Sequence, residues 1–256
     1  MKKNKIGILA SLLVLVMAAE PVSAATYTVT PSMTNAQIQN IINSASSGST
    51  IQFATGTYNG VQLNVTKPLN LKTYNGTVTL KGISSEPVFN VLNTGGVSIN
   101  GFTINGSSAS HYICLSNVNR STITKNTFNN NVNNTNAVYI FKSNIINITN
   151  NIMNMFNQGD ACITGDNQIY DIIIKNNTML NGGSGISVGC SYKNLTITNN
   201  TINHMIVNHG DGIYLEPECG SNETNTKTTI TKNIITNISM VCSLVGISKE
   251  PFQVIE

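Results

Sequence analysis

Four acidic residues, Asp211, Glu216, Glu218 and Glu223, fall in one short stretch that also holds His204, His209, Cys219 and Tyr214. The whole chain has only 11 acidic residues and 3 histidines, so this stretch concentrates the groups that could do chemistry. Carboxylates at this density can hold calcium through oxygen ligands, and two imidazoles with a thiolate can hold zinc. The spacing matches no established ligand pattern. A solvated loop is the expected state, no metal or cofactor is assigned, and calcium stays as an alternative. A sugar fits the same groups: a tyrosine ring offers a stacking face, and carboxylates accept from sugar hydroxyls. Asp211, Tyr214, Glu216 and Glu218 are therefore candidate ligand-binding residues. Arg120, the only Arg, has no acid near it in sequence and reads as a solvated turn residue. His111 is isolated and reads as structural.

What positions these groups is a repeat. Leu195-Thr-Ile-Thr-Asn-Asn-Thr-Ile202 recurs in altered form at Val97, Ser121, Ile146, Ile172 and Thr228, each copy with Ile at its third position. The steps are about 25 residues, with one longer step into the last copy, and such periods mean a solenoid. Positions one and three alternate with polar residues, as in a strand with one buried face. The sixth position is Asn in five copies, Asn126, Asn151, Asn177, Asn200 and Asn233, with Phe102 in its place in the first. If each repeat is one coil, these Asn residues stack about 4.8 Å apart and their amides pair along the stack. The Asn also marks a bend, which its tolerance of left-handed backbone suits.

Further short strands recur once per repeat: Ile113-Cys-Leu115, Val138-Tyr-Ile140, Ala161-Cys-Ile163, Ile186-Ser-Val188 and Ile213-Tyr-Leu215. Each coil thus has at least two strands, with a third expected near position eight. The longest connection, Asn203 to Lys227, reads as a surface insertion of the kind that carries binding residues. Upstream, residues 34–45 place Ile38, Ile41 and Ile42 on one face of a helix that Ser32 or Thr34 can cap. A helix there closes the open end of a solenoid. The segments Ile51-Gln-Phe53, Val61-Gln-Leu63 and Leu69-Asn-Leu71 read as small strands.

Taken together, the helix, Gly56-Thr-Tyr58, Lys67-Pro-Leu-Asn-Leu71 and the Ile-Thr repeats resemble right-handed parallel β-helix proteins of the pectin-lyase-like superfamily. Within it the chain is similar to secreted, Asn/Thr-rich, adhesin-like proteins of methanogenic archaea. The resemblance implies an all-β, right-handed single-stranded parallel β-helix with an N-terminal capping helix. It also implies where catalysis would lie. Polygalacturonase-type members carry Asn-Thr-Asp, Gly-Asp-Asp and Gly-His-Gly, and here the corresponding triplets are Asn134-Thr-Asn136, Gly159-Asp160-Ala161 and Gly183-Ser184-Gly185. Three catalytic positions are changed, at Asn136, Ala161 and Ser184. Glycoside hydrolysis needs two carboxyl groups, which Asp160 alone cannot supply. Asp160 therefore joins the candidate ligand-binding set, and no catalytic residue is assigned. Calcium-dependent lyase chemistry implies an Arg base, and Arg120 lacks the surrounding acids.

At the N-terminus, Lys2, Lys3 and Lys5 precede an apolar run from Ile6 to Ala19, and Val22-Ser-Ala24 supplies small residues for cleavage. This is the pattern of a secretory signal peptide, with no membrane span expected in the mature chain. The expected division is a signal peptide at 1–24, a cap at 25–48 and a β-helix at 49–256 whose end reads as incomplete. The formal charge of +3 falls to about +1 without residues 1–24 and gives no footprint for nucleic acid. Five cysteines without a CxxC leave disulfides open: Cys162, Cys190 and Cys219 could meet across coils, or stay as buried thiols. Glycosylation sequons stand at Asn64, Asn75, Asn105, Asn119, Asn133, Asn147, Asn176, Asn194, Asn199, Asn222 and Asn237. The function these features favour is a secreted, non-catalytic, cell-surface or adhesin-like module that binds polysaccharide or envelope components. A polysaccharide-active enzyme of the same fold and a structural envelope spacer are the alternatives.

Overall fold

The computed structural model describes residues 23–83, 86–105, 111–130, 135–155, 161–205, 210–216 and 226–244. Its strands wind into a three-faced parallel solenoid. The first face stacks Leu63–Val65, Phe89–Leu92, His111–Ser116, Asn136–Phe141, Ala161–Asp166, Ser184–Gly189, Asp211–Glu216 and Met240–Leu244, all parallel and in chain order. The second face carries Ser98–Asn100, Asn119–Thr124, Asn144–Thr149, Ile169–Lys175, Tyr192–Thr198 and Thr226–Thr231. The third carries Thr103–Asn105, Thr127–Asn130, Ile152–Met155, Thr178–Leu180, Thr201–Met205 and Ile234–Ile238. The long strand Asn70–Gly82 turns a corner and begins both of these faces.

Register repeats from coil to coil, so like residues lie side by side. Ile99, Ile123, Ile148, Ile174, Ile197 and Ile230 form one row across the second face. The first five of these are fully buried, each contributing on the order of 2 kcal/mol of apolar burial. Aromatic rings fill the wider N-terminal coils, with Phe53 and Phe102 packed edge to face at 5.0 Å and Phe89 at 5.3 Å from Phe102.

The asparagine ladder runs through this core. Each Oδ1 accepts from the backbone N–H of the ladder residue one coil earlier: Asn126 from Phe102 at 3.0 Å, Asn151 from Asn126 at 2.9 Å, and Asn177 from Asn151 at 3.0 Å. Asn200 and Asn233 continue it, each accepting at 2.9 Å. Phe102 thus heads the ladder with its main chain, although its side chain cannot take part. The left-handed backbone falls one residue earlier than the sequence suggested. Lys125, Asn150, Asn176, Asn199 and Lys232 hold φ between 54° and 58°, while the ladder Asn residues do not. The bend needs the ladder side chain turned inward, and the preceding exposed residue absorbs the reversal.

The capping helix spans Asn35–Ser44, with Thr34 and Gln37 forming a capping box and Ile38 and Ile42 buried. Its side chains also close the open sheet edge. Asn35 and Gln62 exchange two hydrogen bonds of 2.9 Å, and Gln39 donates to the Asn64 carbonyl at 2.9 Å while accepting from its N–H at 2.8 Å. Two carboxamides therefore stand in for a neighbouring strand, which leaves that edge paired. Ile51-Gln-Phe53 and Leu69-Asn-Leu71, expected as small strands, instead join the long Thr50–Val61 and Asn70–Gly82, because bulges let pairing continue around each corner, while Val61-Gln-Leu63 spans the break before Leu63–Val65. Among the described residues, no helix is long and apolar enough to cross a membrane.

One N-terminal group makes the fold sensitive to alkali. The buried Tyr58 hydroxyl donates to the carbonyls of Val29 at 3.0 Å and Ala54 at 2.8 Å. Burial pushes its pKa up to about 12, opposed by the Ala54 hydrogen bond. An unfolded tyrosine ionises near pH 10. The folded value is raised, so this contribution is complete below pH 10 and is lost as pH climbs through about 12. Urea midpoints should fall between pH 9.5 and pH 11.5 (both about), and Tyr58→Phe should flatten that fall.

Candidate functional site

The first part of the acidic stretch is a strand. Asp211–Glu216 is a regular first-face strand paired with Ser184–Gly189. The short strand expected at Ile213-Tyr-Leu215 lies within it, so the long step from Asn203 to Lys227 is not all insertion. The remaining residues of that step, 206–209 and 217–225, lie outside the described residues, and with them Glu218, His209, Cys219 and Glu223. Asp160 also lies outside the described residues. His204 is on the third face, away from Asp211. Among the described residues, no three His, Cys, Asp or Glu side chains come together as a metal site.

Once Asp211–Glu216 is a strand, its side chains fall into rows with those of earlier coils. The leading row is His111, Asn136, Ala161, Ser184 and Asp211. The middle row, facing outward, is Cys114, Tyr139, Thr164, Ser187 and Tyr214. The trailing row is Ser116, Phe141, Asp166, Gly189 and Glu216. The three positions where the polygalacturonase pattern is altered, Asn136, Ala161 and Ser184, are neighbours in the leading row.

These rows form a polar and aromatic patch. His111 stacks on Tyr139 with ring centroids 4.3 Å apart and an interplanar angle of 7°. Tyr139 lies 6.4 Å from Phe141 at 15°, and the Lys142 ammonium sits 5.1 Å from the Phe141 ring centre. The Asn136 amide nitrogen is 3.1 Å from His111 Nδ1, and Asn136 Oδ1 accepts from Thr164 at 2.8 Å. An amide NH₂ can only donate, so Nδ1 accepts and the imidazole proton belongs on Nε2. His111 is therefore part of the patch, not an isolated structural residue. Its partners lie one coil away, where sequence distance hid them.

Two tyrosines bound a shallow trough. Tyr139, Thr164, Ser187 and Tyr214 stand on four successive strands, which separates the two rings by about 14 Å at the backbone. The side chains between them are smaller: Ala161, Thr164, Ser184, Ser187 and Gly189. A Cβ added at Gly189 would meet nothing within 4 Å, so this point is open. Asp166 and Glu216 flank the gap from either side. Tyr139 donates to Asp166 Oδ2 at a long 3.5 Å, and Tyr214 donates to Glu216 Oε2 at 3.1 Å.

Burial, with the Asp166 charge second, raises the Tyr139 pKa to about 12. Burial also raises Tyr214, with Glu216 adding to it. Both phenols stay protonated and hold the carboxylates as acceptors. Asp211 is itself buried, with 3% exposure. Its side chain is therefore not on the open surface. The thiols divide: Cys162 is buried and free, Cys114 is half-buried and free, and Cys190 is disulfide-bonded.

The sequence signal for the missed residues was available. Each of Asn136, Tyr139, Phe141, Thr164 and Asp166 sits at the same phase of its strand as Asp211, Tyr214 or Glu216, two or three coils earlier.

A family model described as a right-handed β-helix region matches residues 88–250. No curated protein sequence matches the chain. Among solved structures, a polygalacturonase from Erwinia carotovora ssp. carotovora is similar at a TM-score of 0.54 and 14% identity, over 90% of this chain and 82% of that one. A family 28 exopolygalacturonase from Yersinia enterocolitica gives 0.49 at 12% identity, over 86% of this chain and 66% of its own length. ORF18 of Geobacillus virus E2 gives 0.41 at 14% identity over 86% of this chain, which spans 62% of that protein's length. At such identities the likeness is one of fold, and function has to be argued from the site.

Proposed function

This chain belongs to the right-handed β-helix family, and on that premise we propose that it is a non-catalytic module that binds polysaccharide or an envelope glycan through its first face, outside the cell. The observation that carries this reading is the trough between Tyr139 and Tyr214, open at Gly189 and lined by hydroxyls and oriented carboxylates. Sugars present apolar ring faces and rims of hydroxyls, and the trough offers rings for the first and acceptors for the second. Export is supported by the N-terminal Lys-apolar-small pattern and by the disulfide at Cys190, a bond suited to oxidising compartments.

One observation favours a second reading, hydrolysis. Asp166 and Glu216 occupy equal positions two strands apart, about 10 Å between backbones, near the separation that inverting glycosidases need between carboxyl groups. Against it, both carboxylates accept from tyrosines, and the leading row offers Asn136, Ala161 and Ser184 where the polygalacturonase pattern expects catalytic groups.

A glycan array probed with the full chain separates these readings. The expected result is saturable binding to a subset of glycans that weakens about tenfold in Tyr139→Ala or Tyr214→Ala, the scale of a lost ring contact. No reducing ends should appear from polygalacturonate. Product release that Asp166→Asn abolishes would make the protein an enzyme instead, and binding to no glycan at all would leave the spacer.

A further inference from the structure

At the corner between the second and third faces, six residues separate Lys72 from Thr79, where two, Gly101 and Phe102, separate their partners Asn100 and Thr103 in the next coil. The solenoid closes without the additional four. They are Tyr74-Asn75-Gly76-Thr77, an aromatic residue followed by a complete Asn-x-Thr acceptor sequence. We infer that this corner is an N-glycosylation site, with a sugar joined to Asn75 and packed on the Tyr74 ring.

The geometry suits an acceptor. Asn75 and Gly76 both hold positive φ, 59° and 137°, so the chain turns sharply outward there. Thr55 clamps the turn from below, its hydroxyl donating to the Asn75 carbonyl at 2.7 Å. A Cβ at Gly76 would fall 2.6 Å from that hydroxyl oxygen, so the middle position requires glycine. Asn75, Gly76 and Thr77 are all exposed, and among the described residues the Asn75 side chain has no hydrogen-bond partner. Tyr74 is 45% exposed, an uncovered ring beside the acceptor amide.

Three other sequons are engaged. The amide nitrogen of Asn199 donates to Asn176 at 2.7 Å, that of Asn176 to Asn150 at 3.3 Å, and that of Asn194 to Asp171 at 2.8 Å. A sugar on any of these costs a hydrogen bond that joins two coils, whereas one on Asn75 costs none.

The transfer requires an external transferase and a sugar activated as a nucleotide or lipid diphosphate. The Asn75 amide nitrogen attacks the anomeric carbon, the N–C bond forms, and the bond from that carbon to the diphosphate oxygen breaks. The diphosphate leaves with the electron pair, and one amide proton passes to solvent. In the cell this rests on the export part of the proposed function. The acceptor itself can be tested apart from both export and first-face binding, because it lies at another corner.

The folded full chain is treated with a soluble N-glycosyltransferase and UDP-glucose, and each site is followed by peptide mass spectrometry. Asn75 should be modified at least about tenfold faster than Asn176 or Asn199, and Thr77→Ala should abolish transfer at Asn75. The glucosylated protein should melt about 2 °C above the unmodified one, and Tyr74→Ala should remove that rise. Equal rates at Asn75 and the engaged sequons, or a melting shift that Tyr74→Ala leaves intact, overturns the proposal.

Discussion

Replacing Asn177 by Ala destabilises the protein by about 3 kcal/mol, at the upper end for stranding buried hydrogen-bond partners. Asn177 has 1% exposure and serves both neighbouring coils. Its Oδ1 accepts from the backbone N–H and the side-chain amide of Asn151, both at 3.0 Å. Its own amide donates to the Ile148 carbonyl at 2.8 Å, the Lys175 carbonyl at 3.1 Å and Asn200 Oδ1 at 3.0 Å. Ala leaves the buried Asn151 N–H without its acceptor. Asn177→Asp restores acceptors for Asn151 but removes the donors to Ile148 and Asn200, so it should not rescue. An exposed ladder supplies the control. Asn129 donates to Asn105 at 3.1 Å on the surface, where water replaces it, and Asn129→Ala should change stability by less than about 0.5 kcal/mol. Urea unfolding with unchanged slope measures both. Equal midpoints for the two Ala variants would mean that the buried ladder contributes no more than the exposed one.

That ladder was legible in the sequence because its physics is periodic. One buried Ile row and one buried Asn row each repeat with the coil, and each residue meets its own kind one coil on. The site was legible only in part, for the opposite reason. Asp211, Tyr214 and Glu216 announced themselves by chemical type, but the trough depends on unlike residues from four coils. Asn136 meets His111 across 25 positions, and Tyr139 meets Asp166 across 27. No local pattern marks such contacts. They follow only after register is known, and register is hardest to read at the long step before Thr228, where the expected strand Ile213-Tyr-Leu215 sits inside a longer connection. The aromatic corner at Tyr74 was hidden in the same way. Asn75 looked like one sequon among many until the pairing of Lys72 and Thr79 showed that its four residues are surplus to the coil.

Gly185 and Gly189 lie on one strand under the trough, and their replacement by Ala should have opposite consequences. Gly185 ends a taper in the buried position that follows the leading row: Tyr112, Ala137, Cys162, then Gly185. Tyr112 fills the wide end, stacked 6.4 Å from Phe128. By Gly185 the first and third faces have closed in. A Cβ there would fall 2.5 Å from the Gly212 carbonyl oxygen and 2.6 Å from Ile202 Cγ2. The oxygen is backbone held in the sheet, so the strand itself must move, and such overpacking costs about 1–3 kcal/mol. The strand also carries Ser184 and Ser187, so displacing it should weaken glycan binding together with stability. Gly189 has open space above it and no strained backbone, and Gly189→Ala should unfold within about 0.5 kcal/mol of the parent. Its new methyl projects into the gap between Asp166 and Glu216, where the proposed ligand must sit. Binding lost at unchanged stability is therefore the expected result for Gly189→Ala. A variant that binds as the parent does would move recognition off the first face.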